Sequence, residues 1–380
     1  MNVSIVIPAY MESDHLPQLL ESLAQSYAQS PIRIPPTIVV VVNNPMGIST
    51  QQKESNQKTL DLLQSLSPTL PYPLTILDYT EPGLHYGVGQ ARKIGMDYAA
   101  YHFATDAKDI LVCLDADCQV QSNYISTLQN LRLQGSGFTI EFEHDPSQKG
   151  MLLYELYLRY MQLNLSKSKS PFSHFTIGSC IGVSSLTYKQ VGGMVQKNAT
   201  EDFHFLNKVR KHGLIEHIST TKVFPSNRKS QRVTLGTGFF LHHYARDPKS
   251  SFSSLMIPSP ASFANLAWVH DVLYDPTLSN DQSMDFLEQK EAKDTIEHLH
   301  KRKIWEARHL AREQNLPPMT YQKRIMESFD GLETLRLLRF LASKHQKPTT
   351  SLFLDWVRSS HSTLSHMKDP AELLAHLKKV

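Results

Sequence analysis

An α/β fold, with strands and helices alternating to build a doubly wound sheet, is what this 380-residue sequence predicts. Three observations lead there. Val3–Pro8, Thr37–Val42 and Ile110–Leu114 are apolar runs without alternation, as strands covered on both faces require. Helical patterns separate them, which implies parallel βαβ units. The last of these runs delivers Asp115-Ala116-Asp117 at its C-terminal end, where open α/β sheets place ligands.

In chain order, Val3–Pro8 is a buried strand ended by proline. Ser13 is placed to cap a helix whose apolar stripe is Leu16, Leu19, Leu20 and Leu23. Thr37–Val42 is the second strand, broken by Asn43-Asn-Pro-Met-Gly47. Leu60, Leu62, Leu63 and Leu66 mark a surface helix, and Leu74–Leu77 a short third strand. A glycine-containing loop from Gly83 to Gly89 leads into a helix from Gln90 to Phe103, with Ile94, Tyr98 and Tyr101 on one face. The Asp-Ala-Asp strand follows. Phe138–Glu143 alternates as a strand does. Met151–Leu165 is an amphipathic helix whose Tyr154, Tyr157 and Tyr160 suit packing better than a substrate platform. Thr200 is a sound N-cap for a helix running through Leu206 and Val209 to Gly213. From about Ser250 the pattern changes, with Pro258 and Pro260 marking a boundary. Beyond it lie helical stretches at 263–274, 284–314, 331–343, 352–357 and 371–377. Two regions are expected, 1–250 and 258–380.

Composition narrows the function. A net charge of +3 gives no global argument for nucleic acid or an anionic membrane. The first eight residues lack a basic n-region, and no apolar run approaches the roughly 18 residues of a membrane span. Cys113, Cys118 and Cys180 make no disulfide framework and have the wrong spacing for structural zinc, so a reduced, cytoplasmic setting is expected. The first strand is followed by Ala9–Glu12, without glycine, and Gly87-Val-Gly89 lacks a third glycine. Both the dinucleotide fingerprint and the P-loop are therefore excluded. A nucleotide must then be held through side chains and a divalent ion. Asp115 and Asp117, i and i+2 on an extended segment, share a side, and two such carboxylates invite Mg²⁺ or Mn²⁺. The same tripeptide also suits a plain strand-to-loop turn.

Five motifs in order then carry a resemblance. Ser4-Ile-Val-Ile-Pro-Ala-Tyr-Met-Glu12, Gly89-Gln-Ala-Arg-Lys-Ile-Gly95, Leu114-Asp-Ala-Asp117, Gly192-Gly193 and Thr200-Glu-Asp202 resemble family 2 glycosyltransferases over residues 1 to about 240. The resemblance implies a GT-A fold, a mixed sheet flanked by helices, here with an α-helical C-terminal appendage. It implies transfer of a sugar from a nucleotide-diphosphate donor, with Mn²⁺ or Mg²⁺ on Asp115 and Asp117. Pro8, Ala9, Tyr10 and Glu12 match the loop that holds base and ribose. Asn43 stands where the family usually has a base-reading aspartate. Ala91 and Arg92 match a helix start that faces the nucleotide, where Arg92 would pair with a donor phosphate or with Asp115 itself, or else is a plain surface arginine, and Asp115 matches the aspartate that meets the ribose or the metal. Asp202 matches the catalytic base, with Glu201 positioning it or a sugar hydroxyl. Such a base suits inversion.

The loop Pro225–Gly238 is basic and glycine-bearing, and could bring Arg228 or Arg232 to the diphosphate. His242 and His243 are weighed as metal ligands and as structural residues. Gln231-Arg-Val-Thr-Leu235 replaces the Q-x-x-R-W of processive members, so a non-processive enzyme is expected. The acceptor (glycan, lipid-linked or small molecule) and the oligomeric state are left open. The alternatives are a nucleotidyltransferase, which would usually show a glycine-rich loop and a lysine after the first strand, and a non-catalytic scaffold acting through its C-terminal helices.

Overall fold

The computed structural model describes residues 1–174, 176–228, 236–248, 255–345 and 347–379. They form two compact units, one of residues 1–145 with 176–236, the other of 146–175 with 237–380. A single cut near residue 250 would leave 146–175 with the first unit, whereas compactness groups them with the second.

The first unit is built on an eight-stranded sheet. Its strands are β1 Val3–Ala9, β2 Thr37–Pro45, β3 Leu74–Leu84, β4 Ile110–Cys113, β5 Gln119–Val120, β6 Gly137–Phe142, β7 Ile181–Ser184 and β8 Ile215–Phe224. The order is β3-β2-β1-β4-β7-β6-β8-β5. β3, β2, β1 and β4 are parallel, which is the βαβ half expected from the alternation of elements. The sheet is not parallel throughout. β7 enters antiparallel to both β4 and β6, while β6 and β8 are parallel again. The mixed sheet implied by the family resemblance is therefore the one formed. β1 is buried at every position, and β2 at all but its two ends, as continuous apolar runs require. Of Phe138–Glu143, expected to alternate, Phe138–Phe142 falls on a strand buried at every position, and Glu143 lies just past its end, half-buried.

Helices α1 Leu16–Ala28, α2 Thr50–Leu66, α3 Gly87–His102, α4 Tyr124–Asn130, α6 Ser185–Gln190 and α7 Glu201–His212 complete this unit. α1 buries the expected Leu16, Leu19, Leu20 and Leu23. Its start is not capped by Ser13: the cap residue is His15, and the Ser13 hydroxyl bonds Asp14 instead. α3 begins at Gly87, so the glycine loop is shorter than expected. Its core face is the small-residue one, with Gly89, Ala91, Gly95, Met96, Ala99 and Ala100 buried and Tyr101 67 % exposed. A Cβ on Gly95 would sit 2.4 Å from Val6 Cγ1 and 2.9 Å from Val41 Cγ2. That lets α3 lie directly on β1 and β2. Packed there are Val6, Val39, Val41, Leu111, Cys113, Ile181, Phe205 and Val209.

The second unit is helical: α5 Lys149–Lys167, α8 Thr237–Arg246, α9 Pro260–Leu273, α10 Asn280–Gln289, α11 Lys293–Lys301, α12 Ile304–Glu313, α13 Pro318–Ser328, α14 Gly331–Ser343, α15 Thr350–Ser359 and α16 Pro370–Leu377. Tyr160 on α5 explains why 146–175 belongs here. It is fully buried, meets Phe263 and Phe353 edge-on at 5.6 Å each, and donates to the Pro258 carbonyl at 2.9 Å. The tyrosines of α5 thus serve packing. The single stretch expected over 284–314 is three helices, broken where Glu291 and Lys303 take φ of 56°. Arg308, fully buried, donates to the Asp275 and Leu278 carbonyls at 3.0 and 2.9 Å and closes the turn before α10. Among the described residues no helix is long and apolar enough to cross a membrane.

Candidate active site

The parallel half of the sheet fixes where the site lies. β1 and its neighbours β2 and β4 run the same way, so their C-terminal ends share one edge. The segment 8–12, Asn43 and Asp115 all stand at those ends. Ala9 and Glu12 are buried, and Tyr10 is half-buried. Met11 takes a left-handed φ of 59°, and its N–H donates to Asn56 Oδ1 at 2.7 Å. Asn56 Nδ2 donates in turn to the Asn43 carbonyl at 3.0 Å and to Asn44 Oδ1 at 2.5 Å. One fully buried asparagine on α2 thus ties the end of β1 to the end of β2. The sequence reading passed over it, although Asn56 continues the Leu60 and Leu63 stripe toward the N-terminus at helical spacing.

Asp115 and Asp117 do not share an extended segment. β4 ends at Cys113, Leu114 N–H still pairs with the Val6 carbonyl, and a turn follows in which Cys118 N–H reaches the Asp115 carbonyl at 3.1 Å. The turn sends the two carboxylates to different partners. Asp115 accepts from Arg92 Nη2 at 2.5 Å and from the Ser179 hydroxyl at 2.6 Å. Asp117 meets Arg228 Nη2 at 2.8 Å. Burial pushes the Asp115 carboxyl up, but Arg92 and Ser179 outweigh it and hold the group below its ordinary value.

Arg92 joins this turn to the start of α7. Its Nη1 pairs with Glu201 and its Nη2 with Asp115, and the side chain is only 5 % exposed. Of the two partners expected for Arg92, a donor phosphate or Asp115, the structure shows Asp115, with Glu201 as a second carboxylate. Arg92 Nε is buried without a hydrogen-bond partner. Gly178 makes room for it, because a Cβ there would lie 2.5 Å from Arg92 Nη1. Burial pushes the Glu201 carboxyl up; Arg92 opposes this, Asp202 adds to it, and the group rests above its ordinary value. Asp202, half-buried in the first turn of α7, accepts from the Phe203 N–H at 2.7 Å. Thr200 does not cap that helix. It sits at φ 64° with no side-chain cap bond, so acids in the first turn are left to complement the helix dipole.

On the same edge, Arg228 lies beyond β8. It forks both oxygens of Glu12 at 2.9 Å each while reaching Asp117. Arg232 lies outside the described residues. His242 and His243 are on α8 in the second unit, where His243 packs against Phe239 at 4.3 Å between ring centroids. The three cysteines are buried and form no disulfide, and burial pushes Cys113 up to about 12, so it stays a thiol. Among the described residues no three of His, Cys, Asp and Glu converge to hold a metal ion. What the edge does show is a cation between Glu12 and Asp117, supplied by Arg228. A divalent ion bound through one or two carboxylates, with substrate phosphates completing its shell, fits this donor set.

A mixed sheet with its parallel half on one side, carboxylates gathered at the strand ends and a helical appendage define the class as a GT-A glycosyltransferase fold. Residues 4–182 match the family described as Glycosyl transferase family 2, so the resemblance carried by the motifs is shown over that stretch, and with it the class of a glycosyltransferase using a nucleotide sugar. Comparison with curated proteins gives no match. Among solved structures, S. aureus TarS residues 1–349 in complex with UDP-GlcNAc is similar at 13% identity and a TM-score of 0.44, covering 87% of this chain and 91% of that one. S. aureus TarS as a longer chain gives 13% and 0.42, covering 92% of this chain and 56% of that one. The complex of residues 1–349 with UDP gives 12% and 0.41.

Proposed function

We propose that this protein transfers a sugar from a nucleoside-diphosphate donor to an acceptor hydroxyl, with inversion, one sugar at a time, using Mn²⁺ or Mg²⁺. The observation that supports the reading is the network at the strand ends, where Arg92 bonds both Asp115 of the Asp-Ala-Asp turn and Glu201 at the start of α7. Pro8, Ala9, Tyr10, Glu12 and Asn43 would cradle the nucleoside, Tyr10 by its ring face and Asn43 by an amide that bonds a base edge in either sense. Asp117 would hold the metal, with Asp115 beside it steadied by Arg92 and Ser179. When bound, the ion neutralises charge on the departing diphosphate. Asp202 takes the acceptor proton as the hydroxyl attacks the anomeric carbon from the face opposite the diphosphate. Glu201, held by Arg92, orients the first turn of α7 that carries Asp202. A reducing, cytoplasmic setting suits three buried cysteines outside any disulfide.

Thermal shift with UDP, GDP, ADP and CMP, with and without Mn²⁺, tests the reading on wild type and Asp117→Ala. A ligand at 100 times its dissociation constant adds about 2.7 kcal/mol. One diphosphate that stabilises wild type only with Mn²⁺, and fails with Asp117→Ala, supports it. No shift by any nucleotide refutes it.

A further inference from the structure

Arg228 stands where the metal's charge would be needed, and its surroundings hold it there. Both of its terminal nitrogens engage Glu12 at 2.9 Å, and Nη2 also reaches Asp117 Oδ2 at 2.8 Å. Glu12 is 7 % exposed and Asp117 22 %, so these are sheltered ion pairs of forked geometry. The backbone that carries the arginine is fastened as well. Arg228 N–H donates to the Ser226 hydroxyl at 3.1 Å, and Asn227 Nδ2 to the Asp145 carbonyl at 2.7 Å. One guanidinium thus satisfies a carboxylate of the nucleoside loop and the outer carboxylate of the Asp-Ala-Asp turn.

From this geometry we infer that Arg228 is a positioning residue that makes metal and diphosphate bind together rather than metal first; the inference rests on the donor site proposed above. A divalent ion arriving alone at Asp117 must break a sheltered pair and leave the guanidinium facing a cation. A diphosphate arriving with the ion gives Arg228 new anionic oxygens, for which its fork is suited. The exchange is then charge for charge: carboxylate to metal, guanidinium to phosphate. Nothing in it makes or breaks a covalent bond.

The test is Mn²⁺ binding to the full chain, followed by electron paramagnetic resonance without any nucleotide and then with UDP, GDP, ADP or CMP. Wild type alone is expected to bind Mn²⁺ at least tenfold more weakly than wild type with the diphosphate it accepts. Arg228→Gln alone should bind Mn²⁺ at least tenfold more tightly than wild type alone, with most of the nucleotide dependence gone. Arg228→Lys, which keeps the charge but not the fork, should fall between and guards against a folding defect in the first variant. Equal nucleotide-free affinity in wild type and Arg228→Gln, with Asp117→Ala losing the ion, overturns the inference and leaves the donor site standing. Failure of Mn²⁺ to bind any form with any nucleotide overturns the metal-dependent donor site and this inference with it.

Discussion

Replacing Arg92 by methionine removes a buried cation that Glu201 and Asp115 share. The consequence can be worked from exposure and charge. Glu201 is 4 % exposed and cannot rehydrate, whereas Asp115 is 34 % exposed and can do so in part. Breaking a buried pair by deleting one partner costs about 3–5 kcal/mol, because the other charge is stranded. Most of that falls on Glu201. The sign with pH follows. Burial and Asp202 already hold the Glu201 carboxyl above its ordinary value against the pull of Arg92, and without Arg92 it moves further up. A carboxyl whose folded pKa exceeds its unfolded one costs stability as pH rises and returns it as pH falls. The Asp115 contribution, which depends on a lowered folded pKa, also vanishes at low pH. The deficit of Arg92→Met should therefore be largest near neutrality and shrink as pH falls toward the carboxylate range. Urea unfolding of wild type, Arg92→Met, Glu201→Gln and the double variant measures it. The double variant should recover much of the loss, a coupling of at least about 1 kcal/mol. A loss below about 1 kcal/mol, or one that does not change with pH, would refute the claim that a buried charge network organises the site.

Further outcomes are expected. Asp202→Asn should lower the rate of sugar transfer by about 10²–10⁴ while leaving nucleotide stabilisation in thermal shift intact; loss of binding with the rate would assign Asp202 to the donor instead. Gly178→Ala puts a Cβ 2.8 Å from Arg92 Cζ, and since that guanidinium is clamped on both sides, about 1–3 kcal/mol of stability should be lost in denaturant unfolding. An unfolding curve matching wild type would mean that Arg92 yields easily. In the helical unit, burial lowers His270 from 6.5 to about 4, against the bond of its Nδ1 to the Ser168 carbonyl at 2.6 Å. Its contribution is present above about pH 6.5 and is lost as pH falls toward about 4, roughly 3 kcal/mol in all. His270→Gln should flatten the pH dependence of unfolding across that window, and parallel curves would count against it.

How much of this was legible in the sequence depended on whether a signal was local. β1, β2 and β4 are apolar at nearly every position because both faces are covered, and such runs announce themselves. β8, with only Ile218, Thr221 and Val223 buried, gives no such run, and without it neither the antiparallel entry of β7 nor the far half of the sheet is predictable. The breaks at Glu291 and Lys303 carry no glycine or proline to announce them; both residues are exposed in the left-handed region and close the preceding helix by local backbone bonds to Glu288 and His300. At the strand ends one pairing, Arg92 with Asp115, was open to the sequence as an alternative, while those of Glu201, Ser179 and the Arg228–Asp117 pair were not. Asp115 and Asp117 look equivalent in sequence. They part because Ser179 and Arg92 take one and Arg228 the other, contacts that span 64, 23 and 111 positions of chain. The same long-range pairing changes what the arginines mean. Arg92, expected on a donor phosphate or on Asp115, bonds Asp115 and Glu201 together, and Arg228, expected on the diphosphate, bonds Asp117 at the same turn. In the proposed donor site a nucleoside diphosphate would meet charges that the fold has already matched internally, and would have to replace them in kind.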